Sequence, residues 1–364
     1  MNPLNEPIRL NSGAIIPNRI VMAPMTSKGS SWDGMLEQED FDFYSRRSQA
    51  AGLIITGATA VSELGENFSY QMSIYDDCFI PGFTELAKRI KRHGSKTVVQ
   101  LYHSGANSKV SFRKHGMVVG PSDVHFPHLP YAVTALTEEG IWEIIKDYGR
   151  ATKRVITAGF DGVEIHGAYS HIIQQFFSVY SNKRQDHWGG TLERRMNFLL
   201  EVINEVQRVA KECGKDEFII GYRHTEEEIH WKSVGYRLND TLQLFDKIAD
   251  TGIDYIHVIT DRYGKQIKDV IAGRTAFIFV PHALTAEEAA EGLAYGDMVS
   301  FARAILIEPD FAKKVQEGRE SEIATEITSI ERAKDLCYPK KLIDWLFLPY
   351  GGDNFIGGMH FFKD

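Results

Sequence analysis

Residues 158–168 read "AGFDGVEIHGA", and the fold turns on how this stretch is read. A glycine and an acid open a short apolar run, Val163 and Ile165 alternate with Glu164 and His166, and glycine and alanine follow. That is the pattern of a buried strand delivering a polar side chain at its C-terminal end. The next residues, "YSHIIQQF", add Tyr169 and His171, so three ring side chains crowd one strand end.

Seven other runs have the same character: "NRIVMAP", "GLIITG", "TVVQLY", "FIIGYR", "YIHVI", "AFIFV" and "DMVSFA". Near-continuous apolar strands need cover on both faces, and amphipathic segments lie between them. These include "PGFTELAKRIKRHG", "TEEGIWEIIKDYGRATKRVITAG", "TLERRMNFLLEVINEVQRVAKECG", "NDTLQLFDKIADTG" and "TAEEAAEGLAYG". Several open on Thr or Asn with acids behind and stop at Gly, as helix caps do. Eight such units predict an α/β fold, a (β/α)8 TIM barrel, with "PIRLNSGAIIPNR" as an N-terminal hairpin cap at the bottom. No linker or repeat interrupts residues 1–364, so a single domain is expected, without a second redox domain. The stretch from Ser104 to Tyr131 shows no clear period and reads as an active-site loop.

Composition narrows the function. A net charge of −8 disfavours nucleic acid. No signal peptide and no run of 18 apolar residues is present, so no membrane partner is expected and the location reads as cytoplasmic. Cys78, Cys213 and Cys337 are far apart, which argues against a disulfide framework, a metal site or an iron–sulfur cluster. Each reads as a small buried apolar residue.

In a barrel, chemistry sits at the C-terminal strand ends. There the sequence places Pro24, Met25 and Thr26 after the first strand, Gln100 in the third, His166 ending the fourth, Arg223 ending the fifth and Arg303 after the eighth. Each alone also has a structural reading, since a strand-end Thr or Gln packs and an Arg pairs a carboxylate. Together they suit an anionic, planar, hydrogen-bonding cofactor.

These motifs resemble the old yellow enzyme family of FMN-dependent ene-reductases and NADH-dependent flavin oxidoreductases. The resemblance runs from "NRIVMAPMTS" to "ILIEPDF" and is most specific in "AGFDGVEIHGA" and "SNKRQDHWGGTLERRMNFLLEV", which carries R-x-D-x-[YW]-G-G-[ST]-x-E-x-R. It implies FMN as cofactor, NADH or NADPH as reductant and a small-molecule acceptor, typically an enone or enal; assembly as a homo-oligomer is left open. It implies that Pro24, Met25, Thr26, Ala58, Gln100 and Arg223 surround the flavin ring and that Arg303 holds the phosphate.

Three departures from the family pattern bear on function. Tyr169 stands where the family has the second half of its carbonyl grip, a His or Asn, beside His166. His171 replaces the tyrosine that protonates substrate; an imidazole near pKa ~6.5 can serve as proton donor. Pro281 and His282 occupy the Gly-rich phosphate turn and Ala302 replaces the glycine before Arg303, so His282 and Arg303 would have to compensate with charge, proline lacking an N–H. An oxidoreductase is therefore weighed against a barrel with weakened flavin binding that is regulatory, and against a flavin-free lyase.

Overall fold

The computed structural model describes residues 2–126, 129–230, 233–260 and 262–347. Eight strands form the barrel: β1 (Ile20–Met22), β2 (Leu53–Ile55), β3 (Lys96–Tyr102), β4 (Gly162–Gly167), β5 (Ile219–Thr225), β6 (Tyr255–Ile259), β7 (Ala276–Phe279) and β8 (Met298–Phe301). Every neighbouring pair is parallel, and β8 closes on β1 through Val299 opposite Ile20. This is the (β/α)8 barrel that the eight runs predict.

Helices follow the strands: α1 (Gln38–Arg46), α2 (Ile80–Ile90), α3 (Glu138–Thr157), α4 (Leu192–Glu212), α5 (Leu238–Ala249), α6 (Gly264–Ile271), α7 (Ala286–Gly292) and α8 (Phe311–Gln316). Thr137, Thr191 and Thr285 cap their helices as expected, each hydroxyl accepting a backbone N–H three residues on. At α5 the cap lies two residues before the expected Asn239: Arg237 is the N-cap, and its N–H is taken by the Asp240 carboxylate.

The N-terminal hairpin pairs Ile8 with Ile16 and Arg9 with Ile15. It seals the bottom of the barrel, because Leu10, Ala14 and Ile16 join Val21, Leu53, Ile55, Val98, Ile219, Tyr255, Ile278 and Met298 in one buried apolar cluster. Asn11 donates to the carbonyls of Ile253 and Arg274, and the Ser12 N–H donates to Asp254. The chain start is thereby pinned to the lower ends of β6 and β7.

Two expectations need correction. The cysteines are not buried: Cys78 is exposed, and Cys213 and Cys337 are half-buried, because all three fall in turns or at helix ends rather than on core faces. The Ser104–Tyr131 stretch is not irregular throughout. It contains a helix, Lys109–His115, which stops at Gly116 with φ +69°, a left-handed value glycine takes freely. The aromatic-rich C-terminal stretch "LIDWLFLPYGGDNFIGGMHFF" predicts packing over the barrel or against another subunit; its described part packs on the barrel, with Leu342, Ile343 and Leu346 in the main core, and residues 348–364 lie outside the described residues.

Candidate active site

Strand alternation sets Gln100, Glu164 and His257 on the inward face, one layer above the apolar floor. Glu164 joins them: Gln100 Nε2 donates to Glu164 Oε1 at 2.7 Å, and His257 Nδ1 lies 2.8 Å from Glu164 Oε2. All three are buried. Burial alone would push the Glu164 carboxyl up, but His257, Arg223 and Gln100 together hold it below the usual carboxylate range. Burial pushes His257 down despite Glu164. The layer is thus a carboxylate accepting from a neutral imidazole and an amide.

Above this layer stands Arg223, opposite both His166 and His257 in the strand register. It is only 5% exposed, its Nε is sealed without a hydrogen-bond partner, and no described carboxylate touches it. A guanidinium taken out of water in this way, with the Glu164 carboxylate near but not in contact, suits a negative or strongly polar ligand edge. The electron-rich pyrimidine edge of a flavin is one, so the ring end of the site fits FMN.

Loops from β1 and β2 close the side. Gly57 is forced, because a Cβ there would run into the Met25 carbonyl, and its N–H donates to the Tyr44 hydroxyl at 2.8 Å. Pro24, Met25 and Thr26 are half-buried along this edge. The Ala58 carbonyl accepts from Gln71 at 2.6 Å. At the other end of the mouth, Ala302 precedes the half-buried Arg303, which opens a short helix, Arg303–Ile307. Pro281 is half-buried and His282 exposed.

The opening motif resolves into two environments. His166 and His171 are buried with ring centroids 4.9 Å apart, and Tyr102 lies 5.0 Å from His171. Both Nδ1 atoms are sealed with no partner. A sealed Nδ1 with nothing to donate to favours the tautomer with its proton on Nε2, so each ring offers one N–H donor. Burial drives both pKa values down, His166 well below the ordinary value and His171 to about 4. At neutral pH His171 is thereby held uncharged. Tyr169 instead is 57% exposed, at φ +57°, with its ring 5.9 Å from His166 and 5.8 Å from the Arg223 guanidinium.

Glu164, His257, Tyr102 and the buried His103, whose pKa falls to about 3 by burial, carry no assignment from the sequence. For Glu164 and Tyr102 the signal is period-two alternation: Glu164 shares a face with His166, and Tyr102 with Gln100. A cavity of about 180 Å³ borders Tyr169, walled by Phe126, Tyr180 and His230. A larger one, about 470 Å³, lies at the opposite end among Asn18, Gln49, His93 and Lys313. The latter is larger but remote from the convergent groups, so size does not identify the active site here.

The family described as NADH:flavin oxidoreductase / NADH oxidase matches residues 3–322, and the chain belongs to it. It is thus an enzyme, an oxidoreductase of old yellow enzyme type with FMN and NADH or NADPH as cofactors. The probable NADH-dependent flavin oxidoreductase YqiG of Bacillus subtilis is 38% identical over 347 residues, 91% of this chain and 92% of that protein. NADH:acrylate oxidoreductase of Vibrio harveyi is 38% identical over 371 residues, 96% of this chain but 36% of that protein. Among solved structures, morphinone reductase superposes with a TM-score of 0.78 at 25% identity, covering 92% of this chain and 93% of that one. The regulatory and lyase readings find no support in these likenesses. No described helix is long and apolar enough to cross a membrane, and no metal-ligand cluster occurs among the described residues.

Proposed function

We propose that this enzyme reduces activated alkenes, of the enone or enal kind, or related electron-poor acceptors. One observation carries the reading: two neutral, buried imidazoles, His166 and His171, side by side at the mouth with Nε2 as the nitrogen each can offer a ligand. The chemistry FMN supplies when bound is hydride transfer, from NAD(P)H and then to an electron-poor carbon. Pro24, Met25, Thr26, Ala58 and Gln100 would border the flavin ring. Arg223 would sit at its pyrimidine edge, where a fixed cation favours accumulated negative charge. Arg303 would hold the phosphate, with the Ala302 backbone and His282 beside it.

The two histidines would grip the acceptor's carbonyl oxygen. Two preorganised N–H donors stabilise negative charge on that oxygen as the alkene is reduced, more than they stabilise the neutral carbonyl. His171 thereby takes the grip that the family resemblance would assign to Tyr169. The exposed Tyr169 phenol, in reach of water, takes over delivery of the proton to carbon.

The test is anaerobic. NADH should bleach the flavin of the FMN-loaded enzyme, and an enone such as cyclohexenone should restore its colour. Replacing His166 by Ala or His171 by Phe should slow recolouring about 10²-fold, the usual cost of losing one such donor, with bleaching largely kept. A reduced enzyme that no enone reoxidises would defeat the proposal.

A further inference from the structure

Lys28 lies two residues beyond Thr26 in the loop after β1, with φ +58°, a left-handed conformation that is costly for a residue with a Cβ. The side chain is half-buried. Among the described residues its ammonium has no carboxylate or hydrogen-bond acceptor; it faces two rings, Trp345 at 5.3 Å and Phe68 at 6.0 Å. Burial lowers its pKa. Ring faces attract a cation but do not neutralise it, so the charge lacks an anion.

A cation–ring contact, two hydrogen bonds and a ring–ring contact lead from this cation to the imidazole pair. The Phe68 N–H donates to Gln71 Oε1 at 3.2 Å, and the Tyr102 hydroxyl donates to the same oxygen at 2.6 Å. The Tyr102 ring in turn lies 5.0 Å from His171 and 6.4 Å from His166. Lys28, Phe68, Gln71 and Tyr102 thus run along one rim to the two histidines, and the Met25 carbonyl pressed on Gly57 fixes the loop that carries Lys28.

We propose that Lys28 receives the carboxylate of the acceptor, so that the favoured substrates are electron-poor alkenes bearing a carboxylate rather than neutral enones. This rests on the alkene-reductase reading above. The overall reaction remains balanced: the C=C bond gains a hydride on one carbon and a proton on the other, NAD(P)H becomes NAD(P)+, and the carboxylate keeps its charge throughout.

The experiment uses the full-length FMN-loaded enzyme and its Lys28→Met and Lys28→Arg variants. Benzoate and benzamide, which cannot be reduced, are titrated by the change they cause in flavin absorbance, and an unsaturated acid is compared as substrate with its methyl ester. In Lys28→Met, benzoate should bind about tenfold more weakly or worse, the scale of a lost charge-assisted contact, and the acid-to-ester ratio of kcat/KM should fall in parallel. Lys28→Arg should restore part of both. Benzoate and benzamide weakening together, an unchanged benzoate affinity in Lys28→Met, or no benzoate binding by the parent would each overturn the assignment. If the parent reduces neither acid nor ester, the alkene reading fails, while the benzoate titration still reports on Lys28.

Discussion

His171 shows how far a single position can depart from its unperturbed chemistry. In water an imidazole titrates near pH ~6.5, whereas burial holds this one to about 4. The acceptor-reducing step should therefore be flat between about pH 6 and 8, with no inflection from His166 or His171. Stopped-flow reoxidation across that range checks it; an inflection lost in His171→Phe would restore the proton-donor role. The strand-end residues were legible in the sequence because each sits where an apolar run stops. Glu164 was not, although it lies inside the opening stretch, because a polar residue within an apolar run shows its partners only once the neighbouring strands bring Gln100 and His257 alongside. The juxtaposition of His166 and His171 depends on consecutive left-handed residues, Tyr169 and Ser170, both at φ +57°, which neither side chain advertises.

At the level of elements, the most specific motif turns out to be scaffolding. In "SNKRQDHWGGTLERR", Arg184 binds Asp186 and the carbonyls of Pro121 and Leu136, Asn182 donates to Phe176 and Trp188, and Arg195 donates to Phe177 and Gly190. These bonds fasten the short helix Ile172–Phe177, and with it His171, to α4. All eight strands were readable from their apolar runs, and α3, α4 and α7 from their Thr caps. Helices α1, α6 and α8 were not, being short, with α1 rich in charged residues. Strand β5 carries a further constraint: a Cβ on Gly221 would enter the Tyr255 ring, which fills the barrel interior. Gly221→Ala should cost roughly 1–3 kcal/mol, as overpacking does. A urea midpoint equal to the parent's would show that Tyr255 can move aside.

For the whole molecule, buried histidines set the acid limit. His103 and His224 fall to about 3 and His171 to about 4, all through burial. Their folded pKa values lie below the unfolded value of about 6.5, so the unfolded chain binds protons that the native chain refuses. Their contribution is complete above that value and lost as pH falls toward the folded values. Around pH 5 these three should make the stability of the FMN-free protein fall by roughly 4 kcal/mol per pH unit. Denaturant titrations at several pH values measure the slope; a pH-independent stability there would mean that the rings reach water.

The plugged floor has its own consequence for traffic through the barrel. Leu10, Ala14 and Ile16 of the hairpin meet Val98, Ile219 and Tyr255 in an apolar layer beneath Glu164 and His257. Such a layer offers water no polar partners, so it insulates the reacting end from the solvent below. Reductant and acceptor are therefore expected from the upper end, where Tyr169 stands exposed. Where both lie over the same face of the site, the expected order is that the nicotinamide leaves before the acceptor enters.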